Sequence, residues 1–465
     1  MDEIVAASPA GDARVLVRSH GFLACPRLTG DELAYVEWDR GRMPWDGSQL
    51  LVADVRSGAA ASQKVVAGGA EESVVQPLWG PDGLLYFVSD RSGWWNLHRL
   101  RDGVVEAVVP IEADCAPAPW EGGYQSYGFG GDGTVVLTVS DGFTTELLAV
   151  DDEGGRRRLG ANLTSVKPYV AVDGDVLTVI GSTPSSPPAL WSIDLGARPD
   201  SPAVPVGGPL AEAPLPWTPA PPSVEVAAVG ERSVRFLLYR PPGGARPVPL
   251  LVRAHPGPTD DVPLRLDWTT QFFVSHGFAV AEVLYRGSTG RGRSFRQALH
   301  GHWGDYDVED CAVVADHLRA SGVAMPGAVF ISGASAGGYT ALQAACLPGP
   351  FSGATATSAI IDPARWEVSV PAFQRPHAAV LRGPAGAVEP SRVRCPILVI
   401  HGSADTITSA PEAVQFAREL AALDSGHASL LLEGGDHYLS APAHREQALR
   451  AELAFYRSVM NRSSS

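Results

Sequence analysis

The chain has 465 residues, enough for two or three domains with a substantial core, and its 45% apolar and 19% charged content is that of a soluble globular protein. A formal net charge of −15 repels phosphates, so neither a nucleic-acid nor an anionic-membrane partner is expected, and a cationic substrate suits the field better. The stretch Met1-Asp2-Glu3-Ile4-Val5 lacks the basic and apolar regions of a signal peptide and no apolar run approaches a membrane span, so a cytoplasmic protein is expected. Cys25, Cys115, Cys311, Cys346 and Cys395 are scattered without metal-ligand spacing and read as reduced thiols; no metal and no cofactor is expected.

In the first half a pattern recurs. Asp31-Glu32-Leu33-Ala34-Tyr35-Val36, Asp82-Gly83-Leu84-Leu85-Tyr86-Phe87, Asp132-Gly133-Thr134-Val135-Val136-Leu137 and Asp173-Gly174-Asp175-Val176-Leu177-Thr178 each open a turn into an alternating strand. Further strands such as Leu50 to Asp54 and Thr145 to Val150 follow. This repeat predicts a truncated, about four-bladed all-β propeller, with an irregular β-sandwich as the alternative and Ala13 to Val17 as an extra closing strand. Pro202 to Pro222, rich in Pro, Ala and Gly, reads as a linker, which gives a propeller domain with linker over 1–220 and a second domain over 221–465.

The second half alternates apolar strands with amphipathic stretches. Val234 to Tyr239, Pro249 to Ala254, Phe278 to Tyr285, Ala328 to Ser332, Gly353 to Ser358, Ile397 to Ile400 and Ser429 to Leu432 read as strands; Tyr306 to Ala320, Ala413 to Leu423 and Arg445 to Met460 read as helices. A mostly parallel sheet covered on both faces follows.

Within it, Val329-Phe330-Ile331-Ser332-Gly333-Ala334-Ser335-Ala336-Gly337-Gly338-Tyr339 is a strand, a Gly-x-Ser-x-Gly turn and the start of a helix. That is the context of a nucleophile elbow, with Ser335 at its tip in a strained conformation and no room for side chains at Gly333 and Gly337. The domain is therefore expected to be an α/β-hydrolase.

A serine hydroxyl is a weak nucleophile and needs a base, which in turn needs an orienting carboxylate. In this fold the order is serine, acid, histidine. Asp405, in the loop after Ile397 to Ile400, and His437, in the loop after Ser429 to Leu432, complete the set. Asp362 and Asp436 are alternative carboxylates, His427 and His444 alternative bases, and His401 is expected to be a packed loop residue. Of the two donors an oxyanion needs, the amide of Ala336 is the first. In His255-Pro256-Gly257-Pro258 the prolines have no N–H, which leaves the Gly257 amide as the second, with the His255 side chain as an alternative.

These residues resemble the prolyl oligopeptidase family of serine peptidases, in its acylaminoacyl-peptidase and dipeptidyl-aminopeptidase branch. The resemblance rests on His255-Pro256-Gly257-Pro258, Tyr285-Arg286-Gly287-Ser288-Thr289-Gly290, His302-Trp303-Gly304-Asp305, the Ser335 elbow and the Asp405 and His437 loops, together with Met43-Pro44-Trp45-Asp46-Gly47 and Ser92-Gly93-Trp94-Trp95-Asn96-Leu97. It implies hydrolysis of peptide or aminoacyl-amide bonds near the amino terminus of small substrates, aminoacyl nucleosides among them, and leaves a homo-oligomer open. The family's propellers usually have seven or eight blades, and Pro256 stands where a glycine is usual.

A free substrate ammonium calls for carboxylates, and Glu71-Glu72 resemble the paired glutamates of dipeptidyl peptidases, against a solvated acidic turn as the plain alternative. Ile361, Trp366 and Ile407 are candidates for a side-chain pocket; Trp45, Trp94 and Trp95 are candidates for a lid or, alternatively, for propeller core. The rival functions are a dipeptidyl or acylaminoacyl peptidase, an esterase, and a scaffold with an inactive hydrolase domain. Gly287-Ser288-Thr289-Gly290-Arg291-Gly292 lacks the spacing and the downstream acid of a dinucleotide site.

Overall fold

The computed structural model describes residues 1–208, 217–230, 232–243, 247–424 and 426–463. The chain divides into two compact units, one of Met1–Leu215 with Thr289–Ser294 and one of Pro216–Ser288 with Phe295–Ser465.

The first unit is all β. A hairpin of β1 (Asp2–Ala7) and β2 (Ala13–Ser19) precedes four antiparallel sheets in chain order. They are β3 (Phe22–Thr29), β4 (Glu32–Trp38), β5 (Gln49–Asp54) and β6 (Ala61–Gly68); β7 (Val74–Trp79), β8 (Leu85–Ser89), β9 (Asn96–Arg101) and β10 (Val104–Ala107); β11 (Tyr127–Phe129), β12 (Val135–Ser140), β13 (Thr145–Val150) and β14 (Arg156–Leu159); and β15 (Ser165–Val166), β16 (Ala171–Asp173), β17 (Val176–Thr183), β18 (Ser186–Asp194) and β19 (Val204–Gly207). These are the four expected blades. Asp31, Asp82 and Asp132 lie in the turn before the second strand of their sheets, where only a short connection is needed to reverse the chain, and Asp173 ends β16 just ahead of the turn into β17. Neighbouring sheets share their cores: Ala34 and Leu50 pack with Leu85 and Phe87, and Val136 and Leu147 with Leu177 and Trp191. The linker expected over Pro202 to Pro222 needs correction at both ends. Val204–Gly207 pairs with β18, because its extended backbone completes that sheet's edge, and Pro222 already opens a strand of the second unit; residues 209–216 lie outside the described residues.

The second unit is an eight-stranded mixed sheet with helices. Its strands are β20 (Pro222–Val229), β21 (Arg232–Tyr239), β22 (Val248–Ala254), β23 (Ala279–Leu284), β24 (Ala324–Ala334), β25 (Gly353–Thr357), β26 (Ile397–Gly402) and β27 (Ala428–Leu432). They run in the order β20-β21-β23-β22-β24-β25-β26-β27; β20 and β21 are antiparallel to their neighbours and the rest are parallel. The central strands are apolar on both faces, as strands covered twice must be, and Leu250, Val252, Phe330, Ile331 and Ile397 are fully buried. The helices are α1 (Trp268–Ser275), α2 (Gly292–Gln297), whose first three residues count with the first unit, α3 (Tyr306–Ala320), α4 (Ala336–Cys346), α5 (Pro363–Ser369), α6 (Arg375–Leu381), α7 (Ala410–Leu423) and α8 (Pro442–Ser463). Every residue of α4 is buried, which suits its Ala- and Gly-rich sequence to a position against the middle of the sheet. All five cysteines are free. Among the described residues no helix is long and apolar enough to cross a membrane, and no group of three potential ligands is arranged to hold a metal.

Candidate active site

Parallel strands put their C-terminal ends on one edge, and β24, β25, β26 and β27 are consecutive neighbours there. At roughly 4.8 Å per strand, the loops after β24, β26 and β27 open side by side.

The turn after β24 carries Ser335 at φ 52° and ψ −117°, a conformation that non-glycine residues avoid. Its surroundings over-determine it. The Ser335 amide donates to the Thr357 carbonyl at 2.9 Å, and the Ser335 carbonyl accepts from the amides of Tyr339 at 3.2 Å and Ile360 at 3.3 Å. A Cβ at Gly333 would run into the Gly337 carbonyl, and one at Gly337 would stand 2.5 Å from the carbonyl oxygens of Ala254 and His255. Both glycines are therefore required by contact.

Beyond β26, the Asp405 side chain is fully buried. Its Oδ1 accepts from the amides of Ile407 at 2.8 Å and Thr408 at 2.9 Å, and its Oδ2 from the Thr408 hydroxyl at 2.7 Å. His437 Nδ1 lies 2.8 Å from the same Oδ2. Burial opposes the charge, but the hydrogen bonds from His437, from the Thr408 and Ile407 amides and from the Thr408 hydroxyl outweigh it and hold the carboxyl below the usual range. An ionised Asp405 fixes the Nδ1–H tautomer of His437 and leaves Nε2 as a base. Among the described residues no hydrogen bond joins Ser335 to His437; such contacts are often loose until substrate binds. His401 Nε2 is a second imidazole 3.4 Å from Asp405 Oδ2, buried, with its pKa lowered by that burial.

The alternative acids and bases have other work. Asp362 caps α5 through the amides of Ala364 and Arg365, Asp436 accepts from the Ser440 amide, His427 Nδ1 accepts from the Ile397 amide, and His444 lies in α8.

The oxyanion loop follows β22. His255 stacks on Tyr285 with ring centroids 4.0 Å apart, and burial pushes its pKa down to about 3. The neutral ring donates from Nδ1 to the Gly257 carbonyl at 2.5 Å and faces the Ser288 hydroxyl at 2.7 Å through Nε2. Both nitrogens are occupied, so His255 is a scaffold of this loop and not a free donor. The Ala336 amide donates to the Pro256 carbonyl at 3.1 Å.

Ile361 and Trp366, 7% and 8% exposed, follow β25 beside the elbow and belong to the unit's core, with Trp366 against Trp303; Ile407 is half-buried. The remaining candidates lie in the first unit. Trp45 and Trp95 have no exposed surface and Trp45 packs on Trp120 at 4.6 Å, whereas Trp94 is half-buried. Glu71 is exposed, whereas Glu72 is committed to Arg91 at 3.0 Å and to the Ser89 hydroxyl at 2.6 Å.

Two contributors escaped the sequence reading. Thr408 orients Asp405, and its place three residues after the aspartate is the spacing of a local side-chain turn. Arg286 fixes the loop after β23 by pairing with Asp310 at 2.8 Å and Glu309 at 2.6 Å while lying over the Tyr306 ring at 4.0 Å. It sits in a motif already singled out, so its part was open to inference.

The site has clear relatives. Residues 264–463 match the model of the prolyl oligopeptidase family. A puromycin-hydrolyzing peptidase of Mycobacterium tuberculosis superposes with a TM-score of 0.90 at 31% identity, over 97% of this chain and 72% of that one. A puromycin hydrolase variant complexed with PGG superposes with a TM-score of 0.89 at 29% identity, over 97% and 71%. The acylamino-acid-releasing enzyme of Arabidopsis thaliana is 35% identical over 91 residues, 20% of this chain but only 12% of that enzyme's length. With the elbow, the carboxylate–imidazole pair and a fold shared over nearly its whole length, this chain belongs to the prolyl oligopeptidase family of serine peptidases.

Proposed function

We propose that the chain is a serine hydrolase that cleaves peptide or aminoacyl-amide bonds near the amino terminus of small substrates, aminoacyl nucleosides included. The observation that carries this reading is the Asp405–His437 pair at 2.8 Å on the same sheet edge as a serine held at φ 52°. Ser335 Oγ attacks the amide carbonyl while His437 Nε2 takes its proton; the C–N bond then breaks as His437 returns that proton to the leaving amine. Water enters, gives its proton to His437, and splits the acyl-enzyme to release the acid and restore Ser335. Asp405 stays ionised and stabilises the imidazolium. No cofactor takes part, the substrate is a small soluble molecule, and the cytoplasm is the place of action. Ile361, Trp366 and Ile407 contribute to the substrate side-chain pocket, and the division of labour is a propeller with linker over 1–220 and the catalytic domain over 221–465.

The likeness to the puromycin-hydrolyzing peptidase favours a free amino group on the substrate, and the shorter match to the acylamino-acid-releasing enzyme favours a blocked one as the second reading. Hydrolysis rates for matched free aminoacyl, N-acylated aminoacyl and dipeptidyl arylamides, with simple acyl esters alongside, decide between them. The first reading requires the free aminoacyl arylamides to be the fastest. Equal turnover by Ser335→Ala would end both.

A further inference from the structure

In this structure the peptide that should supply the second oxyanion donor faces the wrong way. The Ala336 N–H, the first donor, is occupied by the Pro256 carbonyl oxygen at 3.1 Å. The C=O of Pro256 and the N–H of Gly257 belong to one trans peptide and point in opposite directions. While the carbonyl is turned to Ala336, the Gly257 N–H is turned from it, and a substrate oxyanion arriving there meets an acceptor instead of two donors.

We propose that the Pro256–Gly257 peptide turns over to complete the oxyanion hole, and that His255 and Tyr285 are positioning residues that hold the Gly257 carbonyl still while it does. This rests on the serine-hydrolase reading given above.

Three observations fit the motion. Turning one peptide over changes ψ of the residue before it and φ of the residue after it, as between type I and type II turns, and carries the second residue to positive φ. That residue is Gly257, which is not at positive φ in this structure and has no Cβ to oppose the change. Proline fixes its own φ but not its ψ, and Pro256 is exposed, so the preceding rotation is permitted and has room.

Both flanks are anchored. On one side the Gly257 carbonyl accepts from His255 Nδ1 at 2.5 Å and the Tyr285 hydroxyl at 3.2 Å. On the other, the Ala254 and His255 carbonyls lie so near Gly337 that a single Cβ there would touch them at 2.5 Å. Movement is thereby confined to one peptide group. The oxyanion supplies the drive, because it takes two charge-assisted hydrogen bonds in exchange for the one neutral bond between Ala336 and Pro256. Until substrate arrives the hole stays capped by its own loop.

The test is rapid mixing with an α-aminoboronic acid, whose tetrahedral adduct on Ser335 presents the oxyanion, followed by a crystal structure of the adduct. The rate of adduct formation is expected to level off as boronate concentration rises, because peptide turnover limits capture. The plateau falls about tenfold in Gly257→Ala, since alanine resists positive φ. Tyr285→Phe keeps the ring stacked on His255 but loses the hydroxyl, and its adduct dissociates roughly fivefold faster with KM for substrate unchanged. A Cβ at Gly257 would also stand 3.1 Å from the Asp260 Cβ, so if that variant does not fold, the wild-type plateau and the adduct structure decide. In the adduct, the amides of Gly257 and Ala336 should both point at the boronate oxygen. A strictly linear rate with identical values in the variants, or an adduct in which the Pro256 carbonyl still meets the Ala336 amide, overturns the proposal while leaving the hydrolase reading intact. Absence of any adduct on Ser335 overturns both.

Discussion

His437 Nδ1 meets Asp405 Oδ2 at 2.8 Å, and the same oxygen accepts the Thr408 hydroxyl at 2.7 Å while Oδ1 takes two backbone amides. Four donors on one buried carboxylate leave it no rotational freedom, so the imidazole it holds is aimed. Asp405→Asn keeps the shape but can donate to Nδ1, which favours the wrong tautomer. The expected result is a fall in kcat on the order of 10⁴ with KM little changed, read from steady-state hydrolysis of an aminoacyl arylamide.

Thr408→Val removes one of those donors with little change of volume. A hydrogen bond to an ionised carboxylate contributes about 1.5–3 kcal/mol, so kcat should fall at least roughly tenfold while the urea midpoint moves only slightly. Equal losses in kcat and in stability would mean that Thr408 only braces the loop.

Much of this arrangement was legible in the sequence for physical reasons. The elbow must use glycine at positions 333 and 337 because carbonyls stand where side chains would be, and a triad in an open α/β sheet must place its acid and base after later strands, which singles out Asp405 and His437. Apolar runs flanked by turns gave most strands of the sheet. The edge strand Pro222–Val229 and the short helix Trp268–Ser275 were not read, since neither has a clear apolar period. The burial of Trp45 and Trp95 could not be read either, because a tryptophan in a loop motif looks the same whether it fills a core or faces a ligand. The direction of the Pro256–Gly257 peptide has no residue signature at all, as one sequence allows both orientations.

Asp307 offers a pH prediction. It is fully buried beneath the start of α4, accepts from the Gly304 amide at 2.7 Å and from the Thr340 hydroxyl, and burial raises its pKa to about 6 despite those bonds. A folded-state pKa above the unfolded value means that the folded chain binds the extra proton, so this group's contribution to stability is full below about pH 4 and is lost as pH rises through 6. The loss is on the order of 2–3 kcal/mol. Asp307→Asn can accept from Gly304 and donate to Thr340, whose hydroxyl can then donate to the Ala336 carbonyl, 3.3 Å away. Urea midpoints measured from pH 4 to 7 should decline in the wild type and stay flatter in the variant.

Asp405 predicts the opposite sign. Its pKa is lowered in the fold, so its contribution is present above about pH 4 and is lost as pH falls further. The stability difference between wild type and Asp405→Asn should therefore shrink below about pH 4, as followed by circular dichroism in urea.

Gly337→Ala tests the close approach of the oxyanion loop to the elbow. The new methyl would press on two backbone carbonyls that cannot move independently, so a loss of about 1–3 kcal/mol or more is expected in denaturant unfolding, with activity falling further than stability. A variant as stable and as active as wild type would show that the two loops yield easily.

The reading of this site depends on His437, held by Asp405, making Ser335 nucleophilic. Fluorophosphonate labelling of the intact chain, with the modified residue located by peptide mass spectrometry and the rate followed in Ser335→Ala and His437→Ala, tests it most directly. A single adduct on Ser335, absent in the first variant and formed orders of magnitude more slowly in the second, is the predicted result. No adduct on Ser335, or labelling as fast without His437 as with it, would contradict the account.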